Sequence, residues 1–307
     1  MIVCCGEAVI DFLPRQTAAG EAVYLPANGG SIFNTAVALG RLGLPTGFFG
    51  GLSTDFFGEG LKEWLLASKV DLKYTKIWDR PSTLAFVKLE NAHARYSFFD
   101  DNSAGRMLAR KDLPKFASDV AALHFGSISL IQEPGATTLE ALLGRESKKR
   151  VICLDPNIRP TLVKDRRTYL ARLNRLIAMC DIVKISDEDA AWMTGKKDTA
   201  AAARKWLKAG AKVVAITKGG DGVEAYTRRF GLSQPSIPVQ VADTVGAGDT
   251  FTAGLLAALT KAKLLDKANI AAITENQLND AVAFAARAAA ITVSRPGADP
   301  PWAHELA

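Results

Sequence analysis

The run Asp243-Thr-Val-Gly-Ala-Gly-Asp-Thr-Phe251 places two carboxylates around a glycine-rich turn. Gly246, Ala247 and Gly248 carry little or no side chain, so their backbone N–H groups can approach an anion closely. The run opens an apolar-periodic helix through Phe251, Leu255, Leu256 and Leu259. A helix N-terminus leaves its first N–H groups unpaired and partially positive, which suits a phosphate. Asp249 falls in the first turn, where a carboxylate can accept the proton of a hydroxyl attacking phosphorus. The structural alternative is that Asp243 or Thr244 caps the helix and the glycines make a tight turn. For a lone G-x-G that alternative prevails. The bracketing carboxylates, and a second group near the N-terminus, favour the chemistry.

That second group is Asp11 in Gly6-Glu-Ala-Val-Ile-Asp11, followed by Asn28-Gly29-Gly30-Ser-Ile-Phe-Asn34 and Thr-Ala-Val-Ala-Leu-Gly-Arg-Leu-Gly43. Together the two signatures resemble those of the ribokinase family of carbohydrate kinases, also called the phosphofructokinase-B group, over essentially the whole chain. The resemblance implies a parallel sheet flanked by helices with a small β lid, ATP and magnesium as cofactors, and Asp249 as catalytic base. Asp11 matches the carboxylate that family members aim at sugar hydroxyls. Carboxylate and amide groups bind vicinal hydroxyls, and paired glycines let the backbone approach a sugar ring. Asp11, Gly29, Gly30 and Asn34 are therefore the expected sugar contacts, although Asn34 and the glycines could also serve only as a helix start and a turn.

Three further segments follow strand-like runs. In Asp155-Pro-Asn157-Ile-Arg159, Arg159 can bridge phosphate charge with two donors; a surface turn with a solvated arginine is the alternative. The same D-P-N-x-R run occurs in fructokinase- and ketodeoxygluconate-kinase-like members. Lys184-Ile-Ser186-Asp187-Glu188-Asp189 resembles the family segment that holds magnesium largely through water. Here Ser186 and Asp189 replace the usual Asn and Glu, and Asp189 is the implied magnesium residue, with Lys184 and Ser186 on the nucleotide side. Helix capping by Ser186 is compatible with this. Thr217-Lys-Gly219-Gly-Asp-Gly222 resembles the nucleotide loop, with Thr217, Gly219 and Gly222 near ribose or phosphates. The Thr292-Val-Ser-Arg295-Pro-Gly297 run resembles a loop that, with Asp243 and the Val245 carbonyl, holds a monovalent cation such as potassium in some members. This chain departs from that pattern at Pro301, where a hydroxyl ligand stands in ribokinase itself.

Elements able to position these groups are legible. From Val120 onward, short apolar runs (120–125, 151–154, 181–185, 213–216, 223–226) alternate with amphipathic stretches (137–143, 169–179, 200–207). Continuous apolar strands separated by helices predict a parallel sheet covered on both faces, an α/β domain spanning 1–307. Strands at 2–5 and 48–52 and helices at 33–42 and 57–66 extend it. Segments 12–28 and 72–100 break the rhythm; 84–99 reads as a hairpin around Glu90-Asn91-Ala92. Both segments are expected to form a lid sheet, with Phe86 or Phe98 available to cover a sugar face, and the lid is the expected route to a homodimer.

Composition narrows the rest. Of 307 residues, 48% are apolar and 23% charged, as in ordinary globular enzymes. The N-terminal run meets Glu7 and Asp11 at once, which predicts neither a secretory signal nor a membrane span and hence a cytoplasmic protein. Four scattered or adjacent cysteines and three histidines show no zinc spacing, so buried reduced thiols are expected. The net charge of +6 is spread over short basic runs, which argues against a nucleic-acid partner. The sequence holds no G-x-x-x-x-G-K-[ST], and Gly6-Glu-Ala-Val9 replaces the G-x-G-x-x-G of a dinucleotide fold.

The acceptor is read from 98–106, Phe-Phe-Asp-Asp-Asn-Ser-Ala-Gly-Arg, which looks like a stretch of fructokinases but lacks its arginine at 100–101. Fructose, phosphorylated at its primary 6-hydroxyl, is the first expectation, with Arg106 as the substituting contact. A cation there would equally suit 2-keto-3-deoxygluconate. A non-catalytic sugar sensor on the same fold is the reading from a different class.

Overall fold

The computed structural model describes residues 1–90 and 93–306, with nothing said of the side chains of 89–95; the predicted turn at Asn91-Ala92 lies outside the described residues. In chain order, β1 (Ile2–Cys5) leads into β2 (Val9–Gln16) and β3 (Ala22–Gly29), then α1 (Ser31–Arg41) and β4 (Thr46–Phe49). Next come β5 (Gly51–Ser53), α2 (Phe56–Ala67), β6 (Val70–Asp71), β7 (Lys76–Trp78) and the hairpin β8 (Thr83–Glu90) and β9 (His93–Phe99). The second half alternates: β10 (Ala122–Gly126), α3 (Gly135–Glu146), β11 (Val151–Asp155), α4 (Arg166–Met179), β12 (Ile182–Ser186), α5 (Asp187–Thr194), α6 (Thr199–Ala209) and β13 (Val213–Thr217). It closes with β14 (Val223–Tyr226), β15 (Gly231–Gln234), α7 (Ala247–Lys261), α8 (Lys267–Ala272) and α9 (Glu275–Val293).

Among the described residues, nine strands form the main sheet in the order β15-β14-β13-β12-β11-β10-β1-β4-β6. From β13 to β6 all pairs are parallel. The expected parallel run stops at β13: β14 and β15 are antiparallel, because the Gly219–Asp221 turn is too short for a crossover. Side chains alternate between two cores. Ile2 and Cys4 face a cluster built with α1, α2, α7 and α9, while Val3 and Cys5 face one built with α3, α4 and α6. This two-sided burial is why the strands read as unbroken apolar runs. The four cysteines are buried and free.

A separate four-stranded sheet, β3-β2-β8-β9, stands off the main one. Its central pair is parallel, Val9 through Phe12 against Thr83 through Phe86, which ties the N-terminal ribbon to the later hairpin. The ribbon starts earlier than the span 12–28 suggested, and residues 76–78 leave the span 72–100 to pair with β5. Phe12 stacks on Phe86 at 4.5 Å, with Phe57 edge-on, so Phe86 belongs to this sheet's outer packing. Tyr96 and Phe98 alternate to the opposite face, toward the main sheet. Among the described residues no helix is long and apolar enough to cross a membrane.

Candidate active site

The carboxyl ends of β10–β13, where ligands gather in open α/β sheets, meet the N-termini of α1 and α7 around a polar cavity of about 440 Å³. α7 begins at Gly246, whose φ of 76° is left-handed and suits glycine. That turn sets Asp249 one residue group into the helix, pointing inward and 6% exposed. Its Oδ1 accepts a hydrogen bond from the Ser31 hydroxyl at 2.6 Å, and its Oδ2 one from the Asn34 amide at 2.9 Å. Both donors sit on the first turn of α1. Two helix starts thus converge on one carboxylate.

Lys184, buried at the end of β12, donates to Asp155 Oδ2 at 2.8 Å. A Cβ on Gly248 would stand only 2.7 Å from Lys184 Nζ, so the glycine is what lets the ammonium lie against the amide loop. On the other side of the cavity, Asp11 lies against Gly29, where a Cβ would fall 2.2 Å from Asp11 Oδ2. Gly30 and Asn34 continue this wall.

Burial governs the acid–base state of the cavity. It raises the Asp249 carboxyl, with Asp155 adding to the rise; the Ser31 and Asn34 hydrogen bonds and Lys184 oppose it. Burial also lifts Asp11 to about 6, against the pull of Arg159 and with a further push from Asp249. Asp189 rises to about 6 by burial and Asp155, opposed by its bond from the Ile158 N–H and by Lys184 and Arg159. The Lys184 ammonium, in contrast, is held upward by Asp155 despite its own burial. A cavity of this kind keeps a carboxylate within reach of proton acceptance near neutral pH.

Of the residues singled out in the sequence, Asp249, Gly246, Gly248, Asp11, Gly30, Asn34, Arg159, Lys184, Ser186, Asp189, Thr217 and Val245 all line this cavity. Ser186 also caps α5, its hydroxyl accepting from the Asp189 N–H at 3.0 Å, so both readings hold. A neighbouring apolar trough of about 460 Å³ is lined by Gly219, Gly222, Ala247, residues 235–239 and Val241, with Phe251, Ala289 and Val293. Thr217, Thr244 and Gly248 border both.

Asp243 joins two loops rather than facing the cavity. Its Oδ1 accepts from the Val245 N–H and its Oδ2 from the Gly297 N–H, each at 3.0 Å. Thr292 is buried and donates to Thr250 at 2.9 Å, while the Arg295 side chain turns outward to Glu305. Arg106 is not among the cavity residues. Its guanidinium is held by Asp101 at 2.6 Å, Asp100 at 3.2 Å and the Glu133 carbonyl at 3.0 Å. The two aspartates at 100–101 capture the cation that their own replacement of an arginine seemed to call for.

Ser31, Glu7, Asp155 and Tyr96 also line the cavity and carried no site assignment from the sequence. Ser31 lay inside the quoted Gly-Gly…Asn run, and its place at the first turn of α1 was the available signal. Glu7 is 5% exposed and accepts from the Ile32 N–H at 3.3 Å, capping α1 from a neighbouring strand because Gly30 has no side chain to do so. No local pattern marks such a long-range cap.

Residues 1–305 match the family described as pfkB family carbohydrate kinase. The chain is 53% identical, over 91% of its length and 86% of the relative's, to a fructokinase of Rhizobium leguminosarum bv. trifolii. Among solved structures it is similar to the fructokinase of Xylella fastidiosa with bound ATP, with a TM-score of 0.90, 27% identity, and 99% and 96% of the two chains covered. It is also similar to a double mutant of the fructokinase of Vibrio cholerae O395 in a form with fructose, ADP and potassium ion bound. There the TM-score is 0.85, with 26% identity and 97% and 93% coverage.

Proposed function

The chain belongs to the pfkB family of carbohydrate kinases, and on that premise we propose that it transfers the γ-phosphoryl group of ATP to the 6-hydroxyl of fructose. The observation that carries this reading is the buried Asp249 carboxylate, held by Ser31 and Asn34 at the N-terminus of α7 and across the cavity from Asp11. The names of the relatives, one with ATP bound and one with fructose and ADP, point to the same reactants.

Fructose lies against Asp11, Gly29, Gly30 and Asn34 under the small sheet, which acts as a lid within the single 1–307 domain. ATP extends from the apolar trough, past Thr217, to the amides of residues 246–248. Asp249 takes the proton of the attacking hydroxyl as the new oxygen–phosphorus bond forms. The bond from the γ-phosphorus to the bridging oxygen breaks, and ADP leaves. Helix-terminal amides, Lys184 and Arg159 stabilise charge on the moving group. The donors facing the phosphate region at Ser186, Glu188 and Asp189 are oxygens, the set magnesium prefers, and Asp189 would hold the ion largely through water. Magnesium, when bound, neutralises charge on the nucleotide phosphates. Potassium would sit by the Asp243, Val245, Thr292, Arg295 and Gly297 loops, and there it would steady the amide loop. The protein works in the cytoplasm, and the exposed edge of the lid, with Val23, Tyr24 and Leu25, offers a surface for a homodimer.

No cavity cation other than Arg159 and Lys184 is available for an acidic acceptor, which favours fructose over 2-keto-3-deoxygluconate. The test is ADP release with ATP and magnesium on fructose, 2-keto-3-deoxygluconate, ribose and adenosine. Turnover on fructose that Asp249→Asn abolishes is expected. Silence on all four with fructose still binding would overturn the kinase reading in favour of a sensor.

A further inference from the structure

Asn157 lies in the Asp155-Pro-Asn-Ile-Arg159 run after β11 and lines the polar cavity with a left-handed φ of 37°. Non-glycine residues seldom take that region, and Asn is among the few that tolerate it. The strain sets the side chain between a cation and a carboxylate. Asn157 Oδ1 accepts from Arg159 Nη1 at 2.6 Å, and Asn157 Nδ2 donates to Asp249 Oδ1 at 3.5 Å. A guanidinium only donates and an ionised carboxylate only accepts, so the amide has one orientation that serves both. An aspartate would lose the donor and an aliphatic side chain would lose both contacts. Arg159 folds back on the same loop, donating also to the carbonyls of Asn157 at 3.2 Å and Ile158 at 3.3 Å. Its place therefore depends on the conformation at 157.

We infer that Asn157 is a positioning residue that couples the phosphate-facing cation Arg159 to the base Asp249. The inference rests on the reading of Asp249 as the base. Through one amide, the two groups that must act together on the transferred phosphoryl group share a fixed separation, and the carboxylate keeps a third donor beside Ser31 and Asn34. The charged groups that act on Asp249 besides Arg159 are Asp11 from β2, Asp155 from β11 and Lys184 from β12. None of them is altered by a change at 157.

Two variants separate side chain from backbone. Asn157→Gly removes the amide while accepting the left-handed φ; Asn157→Asp keeps the shape and replaces the donor by a like charge. Each is compared with the intact wild-type chain in kcat, in KM for ATP, in the pH profile of kcat and in the carbon-13 titration of the Asp249 carboxyl, assigned by its absence in Asp249→Asn. Both variants are expected to lower kcat by about 10- to 100-fold, with KM for ATP within about twofold. Asn157→Asp is expected to move the Asp249 titration and the acid limb upward by about one pH unit, and Asn157→Gly by less. Wild-type kcat and an unmoved titration in both variants would overturn the inference. Loss of turnover with an unmoved titration would overturn it too, making Asn157 only a shaper of the loop. A wild-type protein inactive on every sugar but showing the titration shifts would remove the proposed reaction and leave the coupling standing, so the two readings fail separately.

Discussion

The polar cavity and the apolar trough share Thr217, Thr244 and Gly248 but recognise by different means. The cavity presents buried carboxylates, an ammonium and amides, each held by named partners. The trough presents proline, valine, alanine and the backbone of a glycine turn. A sugar is distinguished by the placement of its hydroxyls, which demands fixed polar groups that are costly to bury. A nucleotide base is flat and largely apolar, so a slot of the right thickness is enough. Damage to the first region should therefore appear in kcat and in pH dependence, and damage to the second in KM for ATP alone.

The largest break in that comparison is Asp249→Asn, expected to reduce kcat by about 10³-fold or more while KM for ATP stays within about twofold. Steady-state kinetics with both substrates varied will check it. Lys184→Met comes next. It touches the border between the regions, so kcat should fall about 10²-fold. It also leaves Asp155 buried without its cation, so stability should fall by about 3 kcal/mol, read by denaturant unfolding.

Asp11→Asn sharpens the polar side. The Asp11 carboxyl titrates near 6 when folded, above its ordinary value of 3.8, and the ionised form is the one that accepts from sugar hydroxyls. For the wild type, kcat/KM for fructose should therefore decline as pH falls through about 6. The variant should lose about tenfold in kcat/KM. A group whose folded pKa is raised binds more protons folded than unfolded, so this one opposes folding once it is ionised. The variant should be the more thermally stable at pH 7, with the gain gone below pH 3.8, where both states of the wild type are protonated. An equal Tm at both pH values would show that Asp11 is solvated.

Smaller effects belong to the trough and the periphery. Val241→Ser should raise KM for ATP by about fivefold, of order 1 kcal/mol, with kcat unchanged. Arg106→Ala should leave KM for fructose within about twofold and cost at most about 1 kcal/mol, because its ion pairs lie at the surface. A tenfold rise in KM for fructose would return Arg106 to the sugar site.

Much of this was legible before the structure. DTVGAGDTF and the Gly29-Gly30…Asn34 run declare themselves because their chemistry and their conformation are both local: a helix start, small residues and a nearby carboxylate. The parallel core was legible because strands buried on both faces show unbroken apolar runs. Antiparallel β14 and β15 were harder, since edge strands near a turn look like any short apolar segment. Glu7 and Asp155 escaped as site residues because each acts on a partner distant in sequence: Glu7 on the Ile32 N–H, and Asp155 on Lys184. Arg106 misled for the same reason. Its nearest competitors, Asp100 and Asp101, lie five or six residues away, and no spacing rule reveals which acid a flexible cation will choose.

The position of β1 has a consequence for synthesis. Ile2 pairs with Thr46 on one side but with Ala122 on the other, so one flank of the first strand waits for a partner 120 residues later. During translation that apolar edge is open to any other strand, whereas β10 to β13 each find the next partner within a single crossover. Slowing of the ribosome before β10 is complete prolongs that exposure and favours association between nascent chains; a holdase that covers the first strand shortens it.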